Sequence, residues 1–211
     1  MFRKSILCVC VLLLVVGCST KKAKWANVAY HNTTVHYNVW WNGNESLKEG
    51  VAMLDKSVAD DYTQILPVYK LGNKEDAMAV YPQMDRAIEK GVKGIKKHSI
   101  FLKGEEHVPY ISSCYLLTAY GAFYKQDFVT ATNTCGMMKT QFAGSQAGDE
   151  AAVLLARCAT ADGQYVEAES ALDILIADLG KGNFKSSLRE KLYLAMVEST
   201  LPQGKYKKAV Q

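Results

Sequence analysis

The sequence predicts an all-α chain of antiparallel helical hairpins stacked as an α-solenoid, and three observations predict it. A phrase recurs in the second half, as Asp127-Phe128-Val129-Thr130-Ala131, Gln164-Tyr165-Val166-Glu167-Ala168 and Lys205-Tyr206-Lys207-Lys208-Ala209, with aromatics 37 and 41 residues apart. Each copy is preceded by an apolar helical stretch, at 111–124, 151–161 and 188–200. No segment shows the polar–apolar alternation of a half-buried strand.

The N-terminus comes first in chain order. Arg3 and Lys4 precede an unbroken apolar run of 11 residues at 6–16. That run is too short to cross a hydrocarbon layer of about 30 Å as a helix, and it reads as a secretory signal. Val15-Val16-Gly17-Cys18 resembles the lipobox of bacterial lipoproteins. The resemblance implies cleavage after residue 17 and acylation of Cys18, by palmitate among other chains, in a firm multi-chain anchor. Residues 18–29 then form a tether, and nothing acidic stands at 19–23. In lipoproteins of this kind that favours the periplasmic face of the outer membrane over surface display.

Residues 30–105 are expected to form irregular helical hairpins. Residues 30–42 fit one helix, with Tyr37 and Trp41 four apart and Trp40 beside them. Gly43 reads as a break, and Asn44 as the N-cap of a second helix with the stripe Leu47, Val51, Leu54 and Val58. Asp60-Asp61 and Pro67 interrupt the pattern. Gly72-Asn73 opens a helix running to about His98, with Pro82 as a kink or restart. In that helix Met84, Ile88, Val92 and Ile95 form the apolar stripe, while Arg86, Lys90, Lys93 and Lys97 form a solvated basic row.

Residues 106–211 carry the repeats, with Pro109 suited to the first turn of the opening helix. After Phe128 the apolar positions are Ala131, Cys135, Met138 and Phe142; after Tyr165 they are Ala168, Leu172, Leu175 and Leu179. An aromatic opens each second helix, and an alanine one turn later permits close approach of two helices. The pattern resembles the tetratricopeptide repeat, whose period is 34 residues, with the excess placed in loops at 144–148 and 180–187. The third copy stops a few residues into its second helix, so the sequence is expected to be the N-terminal part of a longer protein.

Composition excludes several functions. The chain is 49% hydrophobic and 22% charged, as globular domains are. Loss of the signal leaves 23 basic against 21 acidic residues, which gives nucleic-acid binding no electrostatic support. Cys8 and Cys10 leave with the signal, and Cys114, Cys135 and Cys158 are expected as buried thiols within apolar helices. No metalloprotease, P-loop, nucleophile-elbow or paired-cysteine motif is present. His31 and His36 are five apart, His98 and His107 stand alone, and Asp60-Asp61 do not face each other on a helix. No catalytic residue, metal site, cofactor or small-molecule substrate is expected. The Asn32 and Asn44 glycosylation patterns are read as chance.

The phrases YHNTTVHYNVWWNGNESLKEG at 30–50, DDYTQILPVY at 60–69 and MDRAIEKGVKGIKKHSI at 84–100 resemble the opening of the SprE/PorW lipoproteins. These are large tetratricopeptide-repeat proteins of the gliding-motility and type IX secretion machinery. The resemblance implies a non-catalytic outer-membrane scaffold whose partners are other proteins of a secretion apparatus, with Cys18 the one functional residue carried over. Two readings of Trp40, Trp41 and Asn42 stay open: packed core with a turn and cap, or a surface contacting a partner or ligand. The alternatives to the scaffold are a SusD-type glycan-binding lipoprotein, with exposed tryptophans stacking on sugars, and a BamD-like assembly lipoprotein.

Overall fold

The computed structural model describes residues 22–179 and 186–209. Cys18, the signal and most of the 180–187 loop lie outside them. The described chain is all-α apart from one small hairpin, with helices packed pairwise in sequence order.

Helix begins earlier than the tether expected to residue 29, and it does not break at Gly43. Helix α1 (Trp25–Thr34), a π-helical segment (Val35–Trp40) and helix α2 (Trp41–Ser57) run on as one rod. The buried positions explain the π turn. His31, Val35, Val39 and Gly43 follow at steps of four, and Ser46, Gly50 and Leu54 continue the line. On an α-helix each step of four overshoots a full turn by about 40°. The wider π turn absorbs that drift and keeps one face buried.

Gly43 and Asn44 are therefore interior helical residues, not a break and a cap. A Cβ on Gly43 would lie 2.5 Å from Leu117 Cδ2 and 2.9 Å from Lys90 Cβ, so glycine is present to let helices meet. Of the predicted stripe, Leu54 is fully buried and Leu47 and Val51 pack on its cluster.

Asn73 caps helix α3 (Lys74–Ala79) through a reciprocal capping box with Asp76. The chain restarts at Val80, and Pro82 sits in the first turn of helix α4 (Tyr81–His98), as expected. The buried face of α4 differs from the predicted stripe. It is Met84, Ala87, Gly91 and Gly94, with Ile88, Val92 and Ile95 only half-buried. At Gly91 a Cβ would stand 2.7 Å from the Cys114 carbonyl oxygen and closer still to Thr118 Oγ1. The small residues thus form the contact, because backbone meets backbone there. The basic row faces solvent, with Lys90 half-buried.

A hairpin absent from the sequence reading follows: β1 (Phe101–Leu102) pairs antiparallel with β2 (Glu105–Glu106). Lys103 and Gly104 both take positive φ, 54° and 85°, as a two-residue turn of the primed type requires. The Glu106 carboxylate gathers the site. It accepts the Ile100 N–H at 3.0 Å, the Val108 N–H at 2.9 Å and the Ser99 hydroxyl.

The repeats form as predicted, as α5 (Tyr110–Tyr124) with α6 (Phe128–Gln141) and α7 (Gln146–Ala161) with α8 (Tyr165–Leu179). The third copy is α9 (Ser186–Thr200), a 3₁₀ turn (Leu201–Gln203) and α10 (Tyr206–Ala209). Ala131 and Ala168 are buried at the crossings.

All three copies share one turn. A left-handed residue stands two positions before each aromatic: Gln126 (φ 59°), Gly163 (φ 80°) and Gly204 (φ 70°). The following amide reaches back to close the helix in each case: Asp127 to Ala122 O, Gln164 to Ala159 O and Lys205 to Thr200 O, at 2.9, 2.8 and 3.2 Å. These are the paired bonds of the Schellman motif. Gln126 bears its strain because its amide donates to the carbonyls of Leu71, Gly72 and Asn73 at 3.1–3.2 Å, tying the 60–73 segment to the first turn.

Cys114, Cys135 and Cys158 are buried free thiols, as expected. Burial pushes Cys114 and Cys135 up to about 12 and Cys158 to about 11, so none is a thiolate at neutral pH.

Candidate functional site

The first helices of successive hairpins, α2, α5, α7 and α9, line a groove of about 560 Å³. Its walls are apolar, from Leu47, Val51, Leu116 and Val153, and aromatic, from Trp40 and Tyr120. The volume and lining are those of a binding cleft. The walls face the same cavity because each contributing helix is the inner member of its pair.

Charges on the groove are arranged around Glu150 and Arg157, and Asp55 also lines it. Glu150 accepts the Tyr120 hydroxyl at 3.0 Å and pairs with Lys191, whose ammonium lies 5.4 Å from the Tyr120 ring centroid. Burial first, and then Glu150, raise the Tyr120 phenol well above its ordinary value, so it stays a hydrogen-bond donor.

Arg157 is the second centre and is only 5% exposed. Its Nε donates to Glu198 Oε2 at 2.9 Å. The guanidinium lies under two rings, 3.9 Å from the Tyr69 centroid and 4.7 Å from that of Phe123. Burial opposes its charge, but Glu198, Tyr124 and Tyr120 outweigh burial and raise its pKa above the ordinary value. Burial raises the Tyr124 phenol above its ordinary value, and the Arg157 charge and side chain beside it pull the other way. Nη2 is buried and has no hydrogen-bond partner among the described residues.

The structure separates the three residues singled out in the sequence. Trp40 is half-buried, 5.9 Å from the His36 ring and 5.6 Å from that of Tyr110, and it lines the groove. Trp41 is 51% exposed outside the groove, with Lys48 Nζ 5.9 Å from its ring. Asn42 donates from Nδ2 to the Asn38 carbonyl one turn back, so its amide is engaged locally. The trio is neither one packed core nor one surface. Tyr37, like Trp41, faces outward.

Other residues weighed in the sequence gain partners in the fold. His98 is not isolated, since its Nδ1 lies 2.9 Å from Nδ1 of buried His31. His36 stacks on Tyr110 at 4.0 Å. Asn32 accepts the Tyr110 N–H at 3.0 Å, serving the start of α5 from a distant helix. Asp60 pairs with Lys70 at 2.8 Å, while Asp61 closes a local turn onto Thr63, which lowers its pKa. Among the described residues no group of three or more His, Cys, Asp or Glu is placed to hold a metal ion. Among them, too, no helix is long and apolar enough to cross a membrane.

Sequence reasoning missed Arg157, Glu150 and Lys191. Arg157 stood inside a stretch read only as apolar helix, and its one signal was a charge at a buried helical register. The chain matches no protein-family model and no curated protein.

Proposed function

We propose that this chain is a non-catalytic scaffold that holds partner proteins through the groove on its inner helices. The groove carries the reading: a cleft across four helices, with apolar and aromatic walls interleaved with charged and polar side chains, suits an extended segment of another protein. Aromatic and arginine side chains at the centre of a partly desolvated surface are the usual anchors of such contacts. The finer reading is a lipoprotein anchored through Cys18 at the periplasmic face of the outer membrane, acting in type IX secretion and gliding motility. It is supported by the Val15-Val16-Gly17-Cys18 lipobox, the resemblance at 30–100 and the repeat fold.

The test is crosslinking of the complete protein in outer membranes of its native host, followed by mass spectrometry of what co-purifies. Translocon or motor components of the secretion apparatus are the expected result. Recovery of a glycan transporter in their place would sink the reading and return Trp40 and Trp41 to the role of sugar contacts.

A further inference from the structure

We infer that the outer face of the N-terminal rod lies against the bilayer surface, with Trp25, Tyr30, Tyr37 and Trp41 seated at headgroup level. The inference rests on the Cys18 anchor and adds which side of the protein that anchor brings to the membrane. From residue 25 to residue 44 the chain carries no Lys, Arg, Asp or Glu. A helix facing water carries charge opposite its buried stripe, and α4 does so, exposing Asp85, Arg86, Glu89, Lys93, Lys96 and Lys97. The rod instead exposes Trp25 at 84% and Tyr37 at 69%, with Tyr30 and Trp41 each more than half exposed. Alanine, threonine and asparagine fill the exposed positions between them. The two histidines of the rod turn inward, His31 onto His98 and His36 onto Tyr110, so they add no charge to this face.

The register that buries His31, Val35 and Val39 places Thr33, Tyr37 and Trp41, each two positions on, along the opposite side. Trp25 and Tyr30 continue the exposed side towards the N-terminus, and charge resumes only at Glu45, paired with Lys48. Trp25 follows Cys18 by seven positions, and seven residues reach about 25 Å at full extension. An acylated Cys18 therefore holds the leading end of the rod at the surface. Lys22 and Lys24 are exposed there, with the sign that anionic headgroups attract. Tryptophan and tyrosine suit that depth, because each joins an apolar ring to one polar hydrogen. The rod lies on the bilayer and does not enter it. Its inner side is packed on α4 and α5, and among the described residues no helix is long and apolar enough to cross.

All three tryptophans of the chain lie in the rod, so intrinsic emission reads the seat directly. The acylated full chain is placed in vesicles of phosphatidylethanolamine and phosphatidylglycerol, either plain or brominated near the headgroup end of the acyl chains. Three forms each keep one tryptophan and carry phenylalanine at the other two positions. Bromine should quench Trp25 and Trp41 and spare Trp40, whose ring lies beside His36 and Tyr110 on the groove. The unsubstituted chain should lose part of its emission in the same vesicles. Tyr37→Glu in the form that keeps Trp41 sets a charge on the seat and should restore its emission. Trp41 emission equal in both vesicles overturns the seating, leaves the anchor, and assigns the face to a protein partner. Quenching of Trp40 with Trp41 turns the groove to the lipid and overturns the assigned face, as does quenching that survives Tyr37→Glu. A mass spectrum of the N-terminal peptide without acyl chains overturns the anchor, and the seating with it.

Discussion

The two halves of this molecule solve one problem, bringing helices into contact, with different residues. In the repeats the contact is alanine, at Ala131 and Ala168, one turn after an aromatic that opens the helix. In the N-terminal half it is glycine, at Gly43, where a Cβ would meet the Leu117 and Lys90 side chains, and at Gly91, where it would meet the Cys114 carbonyl. Alanine keeps helical propensity, whereas each glycine gives up about 1 kcal/mol of it. The first half therefore depends on its tertiary packing for helices that the second half favours locally.

The largest test falls where the halves meet. Tyr69 from the first half covers Arg157 from the second, whose partner Glu198 lies a repeat further on. Arg157→Met alone leaves Glu198 without its cation and should cost about 3–5 kcal/mol. Denaturant unfolding followed by circular dichroism should then separate into two transitions. A single transition at the original midpoint would show that the halves are joined elsewhere.

Gly91→Ala should cost about 1–3 kcal/mol, despite alanine's better propensity, because the methyl group meets the Cys114 carbonyl. Thermal unfolding reads it directly, and an unchanged or raised Tm would remove glycine packing as the basis of the first half.

Acid should loosen the far end of the repeats before the rest. Glu169 receives Lys205 at 2.5 Å, Lys208 at 2.8 Å and Gln203 at 3.0 Å, and the two lysines first of all lower its pKa to about 2. Its folded pKa lies below the ordinary 4.5. The stability it contributes is therefore present above about pH 4.5 and is lost as pH falls towards 2. Hydrogen exchange at 201–209 should rise over that window, and Glu169→Gln should abolish the pH dependence. A rise that persists in that variant would assign it to another group.

The smallest effect has the opposite sign. Gly136 lies on the exposed face of α6, and a Cβ there meets nothing within 4 Å. Gly136→Ala should stabilise by about 0.5–1 kcal/mol. Loss of stability would mean that glycine serves the repeats as it serves the first half.

What could be read in advance follows the same division. The repeats were legible because aromatic, alanine and apolar positions recur in register, so local preference and packing agree. Gly43-Asn44 misled because that dipeptide type marks turns in isolated chain, whereas here tertiary contact with Leu117 and Lys90 decides. The buried line through His31, Val35 and Val39 was hidden by a step of four that an α-helix does not hold. Of the site, Trp40 was visible as an aromatic at helical spacing. Arg157 was not, since its burial depends on Tyr69, Phe123 and Glu198, brought together only by folding.

The unbroken rod from Trp25 to Ser57 has a mechanical consequence. At about 1.5 Å per residue it is roughly 50 Å long. Its leading end lies near the start of the described chain, and its trailing half forms one wall of the groove. A pull at the leading end travels along hydrogen-bonded turns without crossing a loop. The groove wall is thus joined to the start of the described chain by continuous helix, with no loop between them.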